Sequence, residues 1–233
     1  MRITVRSLVA LAAFALVACD GGAAPPAPSS SGDAGRAPAV PIAQRFLATA
    51  DAPGTKPDPV EKRETTDDLD GFIAYLAPHL FVDLDREETI GVLERAGFTW
   101  AASDVRFFGK THQRRGPHLF GSIIEVQSED GAKNVLDLLE ADSKKPCPMS
   151  CAVRVSSFDV EGIPDGRGVH RLATAERIEA AGTEDEHPSD DYWVGFTEGS
   201  IVYTVRVQGL PGSVSEDQAQ EIARAYYDRL TGN

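Results

Sequence analysis

The chain has 233 residues, with 36 acids against 23 bases and a formal net charge of −13. So acidic a chain repels nucleic acid and anionic lipid head groups, which argues against a nucleic-acid partner. No apolar run beyond the first twenty residues approaches the ~20 needed to cross a bilayer, and the length left after the N-terminal segments suits one domain.

The chain opens with Arg2 and Arg6, runs through the apolar stretch from Leu8 to Ala18, and then meets Cys19, Asp20 and two glycines. A short basic region before a short apolar one reads as a secretory signal over residues 1–18, too short to remain as a spanning helix. Leu16-Val17-Ala18-Cys19 resembles the lipobox of bacterial lipoproteins. The resemblance implies cleavage before Cys19, whose thiol then carries diacylglycerol, with fatty acids such as palmitate completing the anchor. Cys19 is therefore the expected lipidation site, and the membrane, reached through the lipid, is the expected partner. Two or three acyl chains, at about 0.8 kcal/mol per buried methylene, hold a protein there without a spanning helix. The processed chain keeps 21 bases against 36 acids, a net of −15, and faces the extracytoplasmic side of the cell membrane.

Residues 19–67 are rich in Pro, Gly, Ala and Ser and read as the lipidated N-terminus and a flexible linker, because such a composition buries too little apolar surface to offset its ordering entropy. Within it, Val40–Leu47 has the apolar residues to dock locally. Residues 68–233 then form the extracytoplasmic domain. Asp67 or Asp68 caps a helix to Ala77 that Pro78 ends, and a second helix covers Asp85 to Ala96 with Gly97 closing it. Phe98 to Ala102 and Val105 to Gly109 read as two short strands around a Ser103-Asp104 turn. After the loop from Lys110 to His118, a strand over Phe120 to Gln127 precedes a helix capped by Ser128.

Ala152 to Val160 and Val169 to Leu172 read as further strands, separated by turn residues between Gly162 and Gly168. Tyr192 to Thr197 and Ile201 to Gln208 make the clearest hairpin. Ser215 caps a closing helix with Ala219, Ile222, Tyr226 and Leu230 on one face. The order predicts an α+β fold, a mainly antiparallel sheet with helices packed on one face. Two segments repeat a pattern in which Val-Gln is followed by a Ser-capped helix, at Val126-Gln127-Ser128 and at Val207-Gln208 with Ser215. From residue 120 onward, the Gly-Ile-Pro turn, the Trp193-Val-Gly-Phe196 hairpin and the closing Ala219–Leu230 helix resemble small lipoproteins of actinobacterial envelopes. That resemblance implies a binding or sensing role and assigns no functional residue.

Outside the cytoplasm, Cys147 and Cys151 in Pro146-Cys-Pro-Met-Ser-Cys151 read as a disulfide. A copper-handling alternative rests on Cys147, Met149 and Cys151 as soft ligands for Cu(I). His79, His112, His118, His170 and His187 show no metal-binding spacing, so no metal or cofactor is expected. His112 and His118 bracket Arg114 and Arg115 in a basic loop, and Thr183 to Asp191 is an acidic run of the kind that is usually solvated. Trp100, Trp193, Tyr192 and Tyr203 sit at strand positions and read as core. Neither Gly-x-Ser-x-Gly nor Ser-x-x-Lys occurs, so no catalytic residue is assigned. The sequence thus points to a non-enzymatic envelope lipoprotein that binds an unknown ligand or protein. The alternative is an envelope hydrolase using carboxylates such as Asp83, Asp85 and Glu125.

Overall fold

The computed structural model of the chain describes residues 41–59, 63–83, 85–109, 116–146, 153–176, 178 and 187–233. Cys19, Cys147, Met149, Cys151, His112, Arg114 and Arg115 lie outside the described residues.

In chain order the elements are α1 (Ile42–Arg45), β1 (Thr55–Pro57), β2 (Glu64–Thr66), α2 (Leu69–Gly71), a π-helical turn (Phe72–Leu76), α3 (Ala77–Leu80), α4 (Arg86–Ala96), β3 (Trp100–Phe108), β4 (His118–Glu125), α5 (Glu129–Ser143), β5 (Val153–Asp159), β6 (Arg167–Ala173), β7 (Ser189–Glu198), β8 (Ile201–Gly209) and α6 (Glu216–Thr231). Capping fixes the starts of four helices. The side chains of Asp68, Asp85, Ser128 and Ser215 accept from the backbone N–H groups of Gly71, Glu88, Gly131 and Gln218.

The eight strands form one antiparallel sheet in the order β1-β3-β4-β8-β7-β6-β5. β1 and β2 share one edge of β3, pairing with its residues 106–108 and 101–103 in turn. The α+β class and antiparallel sheet are those the sequence predicts, but the helices cover both faces rather than one. Tyr192, Val194 and Phe196 pack with α6 on one face, while Trp193 and Val202 pack with α4 and α5 on the other. The physical cause is the near-continuous apolar run in β7 and β8, which gives the sheet two faces to cover. The two Val-Gln units likewise send their helices to opposite faces. Two residues join β4 to Ser128, whereas five join β8 to Ser215.

Two glycines set how closely the layers approach. A Cβ at Gly121 would lie 2.3 Å from Leu47 Cδ1, and one at Gly195 would lie 2.4 Å from the Trp193 ring and 2.7 Å from Leu136 Cδ1. Gly121 therefore seats the N-terminal segment on the sheet, and Gly195 seats α5 over the indole.

Three sequence expectations change. Trp100–Phe108 is one strand, with Ser103 and Asp104 buried at its centre instead of turning. Asp104 lies 3.5 Å from both Arg106 and Arg63, which compensates its place in a strand. The helix from Asp68 passes Pro78, which falls in the first turn of α3 directly after a π-helical turn. The packed domain also reaches well before residue 68. Phe46, Leu47 and Ala52 are core residues, Arg229 forks onto Asp51 at 2.8–3.0 Å, and the Tyr226 hydroxyl donates to the Arg45 carbonyl.

Tyr203, Tyr226 and Phe196 form an aromatic cluster with centroids 5.4–5.9 Å apart. Burial, opposed by Arg45 and assisted by Glu198 and Glu125, pushes the Tyr203 phenol up to about 12. Its folded value lies above the ordinary one near 10, so its contribution is full below pH ~10 and declines as pH rises toward 12. For Tyr203 alone we predict about 2 kcal/mol of the loss between about pH 8 and about pH 11.5, so Tyr203→Phe should lose that much less than the unmodified protein. Urea midpoints at the two pH values measure it, and equal midpoints for the unmodified protein would contradict it.

Candidate functional site

The sheet ends at one corner in a pocket of about 280 Å3, lined by His118 at the start of β4, Gln208 and Gly209 at the end of β8, and Ser189 at the start of β7. Gly116, His187, Pro188 and Leu210 complete its walls. His118 and Gln208 are direct partners across β4 and β8, so regular strand pairing fixes two of the lining groups. The His118 Nε2 lies 3.6 Å from a carboxylate oxygen of Asp58, which is 2% exposed. Leu210, 46% exposed, gives the rim an apolar group among the polar ones.

Asp190 joins two walls. One oxygen lies 2.7 Å from His170 Nε2, and the other accepts the Gly212 N–H at 3.2 Å, tying the turn after Leu210 to β7. Tyr192 stacks on His170, and burial, then the charge of Asp190 and a hydrogen bond to it, raises the phenol.

On the opposite face, Asp191 receives a fork from Arg206, with Nε 2.9 Å from each oxygen and Nη2 at 2.5 Å. Arg171, the partner of Asp191 across β6 and β7, donates to the carbonyls of Ser143 and Lys145 at 2.9 and 2.6 Å, capping the C-terminus of α5. Burial and then the Arg206 charge lower Arg171, against the raising effect of Asp191 and Asp142. Asp142, fully buried, accepts from the backbone N–H groups of Val82 and Asp83 and lies 3.3 Å from Lys145. Charges therefore tie α5 to β6, the neighbour of β7, and to the segment before α4.

Two of the five histidines, His118 and His187, come together in the pocket, and His170 pairs with Asp190. His79 lies in α3. Of the carboxylates considered for hydrolysis, Glu125 pairs with Arg45 at 3.1 Å and Asp85 caps α4. Trp100 is half-buried against Phe46, and Trp193, Tyr192 and Tyr203 are buried core residues, as expected. Asp190 and Asp191, read from the sequence as the end of a solvated acidic run, are strand residues only 6% and 3% exposed. Their signal was continuity with Tyr192, together with bases at matching cross-strand positions. Asp58, Gln208 and Leu210 carried no sequence signal for a site.

Among the described residues no three His, Cys, Asp or Glu side chains converge as a metal site, and no helix is long and apolar enough to cross a membrane. The arrangement defines a small pocket with hydrogen-bonding side chains on a rigid sheet end, in an antiparallel sheet covered by helices on both faces. Neither a protein-family model nor a curated protein matches the chain. The structure is similar to the crystal structure of the extracellular domain of PknH from Mycobacterium tuberculosis, with a TM-score of 0.47 and 13% identity, covering 84% of this chain and 93% of that one.

Proposed function

We propose that this chain is an envelope lipoprotein, anchored through Cys19 and facing the extracytoplasmic side, whose domain binds a small ligand or an envelope protein segment at the corner pocket. The observation that carries the binding reading is the pocket itself: its polar groups sit on paired strands, and Asp190 ties the turn after Leu210 to β7. Donors fixed in this way lose little freedom on binding, and an apolar rim beside them is the usual makeup of a ligand site. The anchor rests on Leu16-Val17-Ala18-Cys19 following a short apolar run. The Cys147–Cys151 disulfide belongs to the same reading, through the oxidising compartment.

The test is capture of the full-length protein from its own membranes, with mass spectrometry of the bound proteins and lipids, beside Leu210→Asp and His118→Ala. Leu210 is exposed, so its replacement leaves the core intact. Components held by the unmodified protein should fall about tenfold or more in either variant, the loss of roughly 1.4 kcal/mol or more of contact. Equal capture by all three proteins, or none above background, would end the reading.

A further inference from the structure

Three adjacent strands bring three hydrogen-bonding side chains to one sheet face at the corner pocket. His118 of β4 is the direct partner of Gln208 of β8, and Gln208 is in turn the partner of Asp191 of β7. Ser189 lies two residues before Asp191, hence on the same face as Gln208 and His118. All three line the pocket, and Pro188 and Leu210 supply aliphatic surface beside them.

The charges next to the pocket are already engaged within the fold. Asp191, beside Gln208, receives Arg206 through both of its oxygens. Asp190 divides its oxygens between His170 Nε2 and the Gly212 N–H. The buried Asp58 carboxylate stands 3.6 Å from His118 Nε2. Among the described residues that line the pocket there is no Lys, Arg, Asp or Glu. An ionised ligand would therefore shed its hydration against a lining with no fixed countercharge, which costs more than a hydrogen bond recovers. The net charge of −13 disfavours anions further. A metal cation would find the two imidazoles of His118 and His187 where three protein ligands are usual, and among the described residues no three candidate ligands converge.

What the pocket presents is hydrogen bonding in both directions. The Gln208 amide and the Ser189 hydroxyl each donate and accept. A ligand hydroxyl does the same, so a ring carrying several hydroxyls matches these groups, while its C–H surface matches Pro188 and Leu210. The volume of about 280 Å3 lies at the low end of the ~300–1,000 Å3 usual for small-molecule sites, which suits a ring-sized group rather than an extended chain.

We propose that the corner pocket is a saccharide site that takes a neutral pyranose ring in preference to its charged analogues, with Gln208 and Ser189 hydrogen-bonding the ring hydroxyls. This rests on the corner pocket as the binding site and narrows its ligand to one chemical class.

The full-length protein, in a detergent without a sugar head group, is titrated at neutral pH with the methyl pyranosides of glucose, galactose, mannose and N-acetylglucosamine. Glucuronate, glucose 6-phosphate, glucosamine and inorganic phosphate are titrated in parallel, and saturation-transfer difference NMR reads binding. At least one neutral pyranoside is expected to bind, about tenfold or more tighter than the charged sugars, a comparison that needs no variant. Ser189→Ala and Gln208→Leu, both at half-buried strand ends, should each weaken it about threefold or more, as for one lost hydrogen bond, with thermal unfolding unmoved. Absence of binding by every neutral pyranoside, or binding that both variants leave unchanged, would overturn the proposal. Glucose 6-phosphate or phosphate binding more tightly, and lost in the variants, would overturn the saccharide class while leaving the pocket a site. The membrane capture with Leu210→Asp tests the pocket separately: capture lost in that variant, with no sugar bound, sinks the saccharide alone, and equal capture with no sugar bound sinks both.

Discussion

A chain begun at residue 68 is expected not to fold stably, whereas one begun at residue 40 should keep the stability of the domain. Loss of residues 40–67 removes Phe46, Leu47 and Ala52 from the core and strips β1 and β2 from β3. It also leaves Arg229, which forks onto Asp51, and the buried Tyr226 hydroxyl, which donates to the Arg45 carbonyl, without their partners. Burial of a large apolar side chain contributes about 1.5–3 kcal/mol, and breaking a partly buried ion pair costs further, so the total is about 5 kcal/mol or more. That is comparable with the whole stability of an ordinary domain, about 5–15 kcal/mol. Urea unfolding of the two chains followed by circular dichroism makes the comparison. A cooperative transition of equal midpoint for the chain begun at residue 68 would show that the N-terminal segment adds nothing to the core.

Asp191→Ala should cost about 3–5 kcal/mol, against a clearly smaller loss for the double change Asp191→Leu with Arg206→Met, in which only Arg171 is left without its carboxylate. The asymmetry follows from what each leaves behind. With Asp191 gone, Arg206 keeps its charge in a site where its side chain is 18% exposed, and Arg171 loses the carboxylate that offsets its burial. Two guanidiniums then face each other across β6, β7 and β8 without the anion between them. Replacing both members of the Arg206 pair by apolar residues removes the desolvation cost together with the attraction. Denaturant midpoints for the single and double variants decide it. A loss below about 1 kcal/mol in Asp191→Ala would make the fork a surface pair in energetic terms.

How far the sequence reveals this depends on the length of each signal. Helices α4, α5 and α6 are legible because cap, apolar face and terminator agree over eleven to sixteen residues. The β7–β8 hairpin is legible for the same reason, with apolar strands around Gly199-Ser200. β1 and β2 are not, since three residues each hold no period, and their pairing is dictated by β3 far along the chain. The Ser103-Asp104 pair misleads because both residues favour turns, and only Arg106 and Arg63, brought close by folding, make a buried aspartate tolerable there. The corner pocket is assembled from chain positions as distant as Gly116 and Leu210, so no local motif announces it.

The proposed attachment to a membrane runs through one atom, the sulfur of Cys19. Membranes from cells producing the unmodified protein or Cys19→Ala are washed with high salt and with carbonate, and the protein in each fraction is quantified beside the intact mass of its mature form. The unmodified protein is expected to stay with the membrane and to begin at a diacylglyceryl-modified Cys19, while Cys19→Ala is expected in the soluble fraction. Cys19→Ala that persists in washed membranes, or an unmodified protein without lipid mass on its first residue, would contradict it.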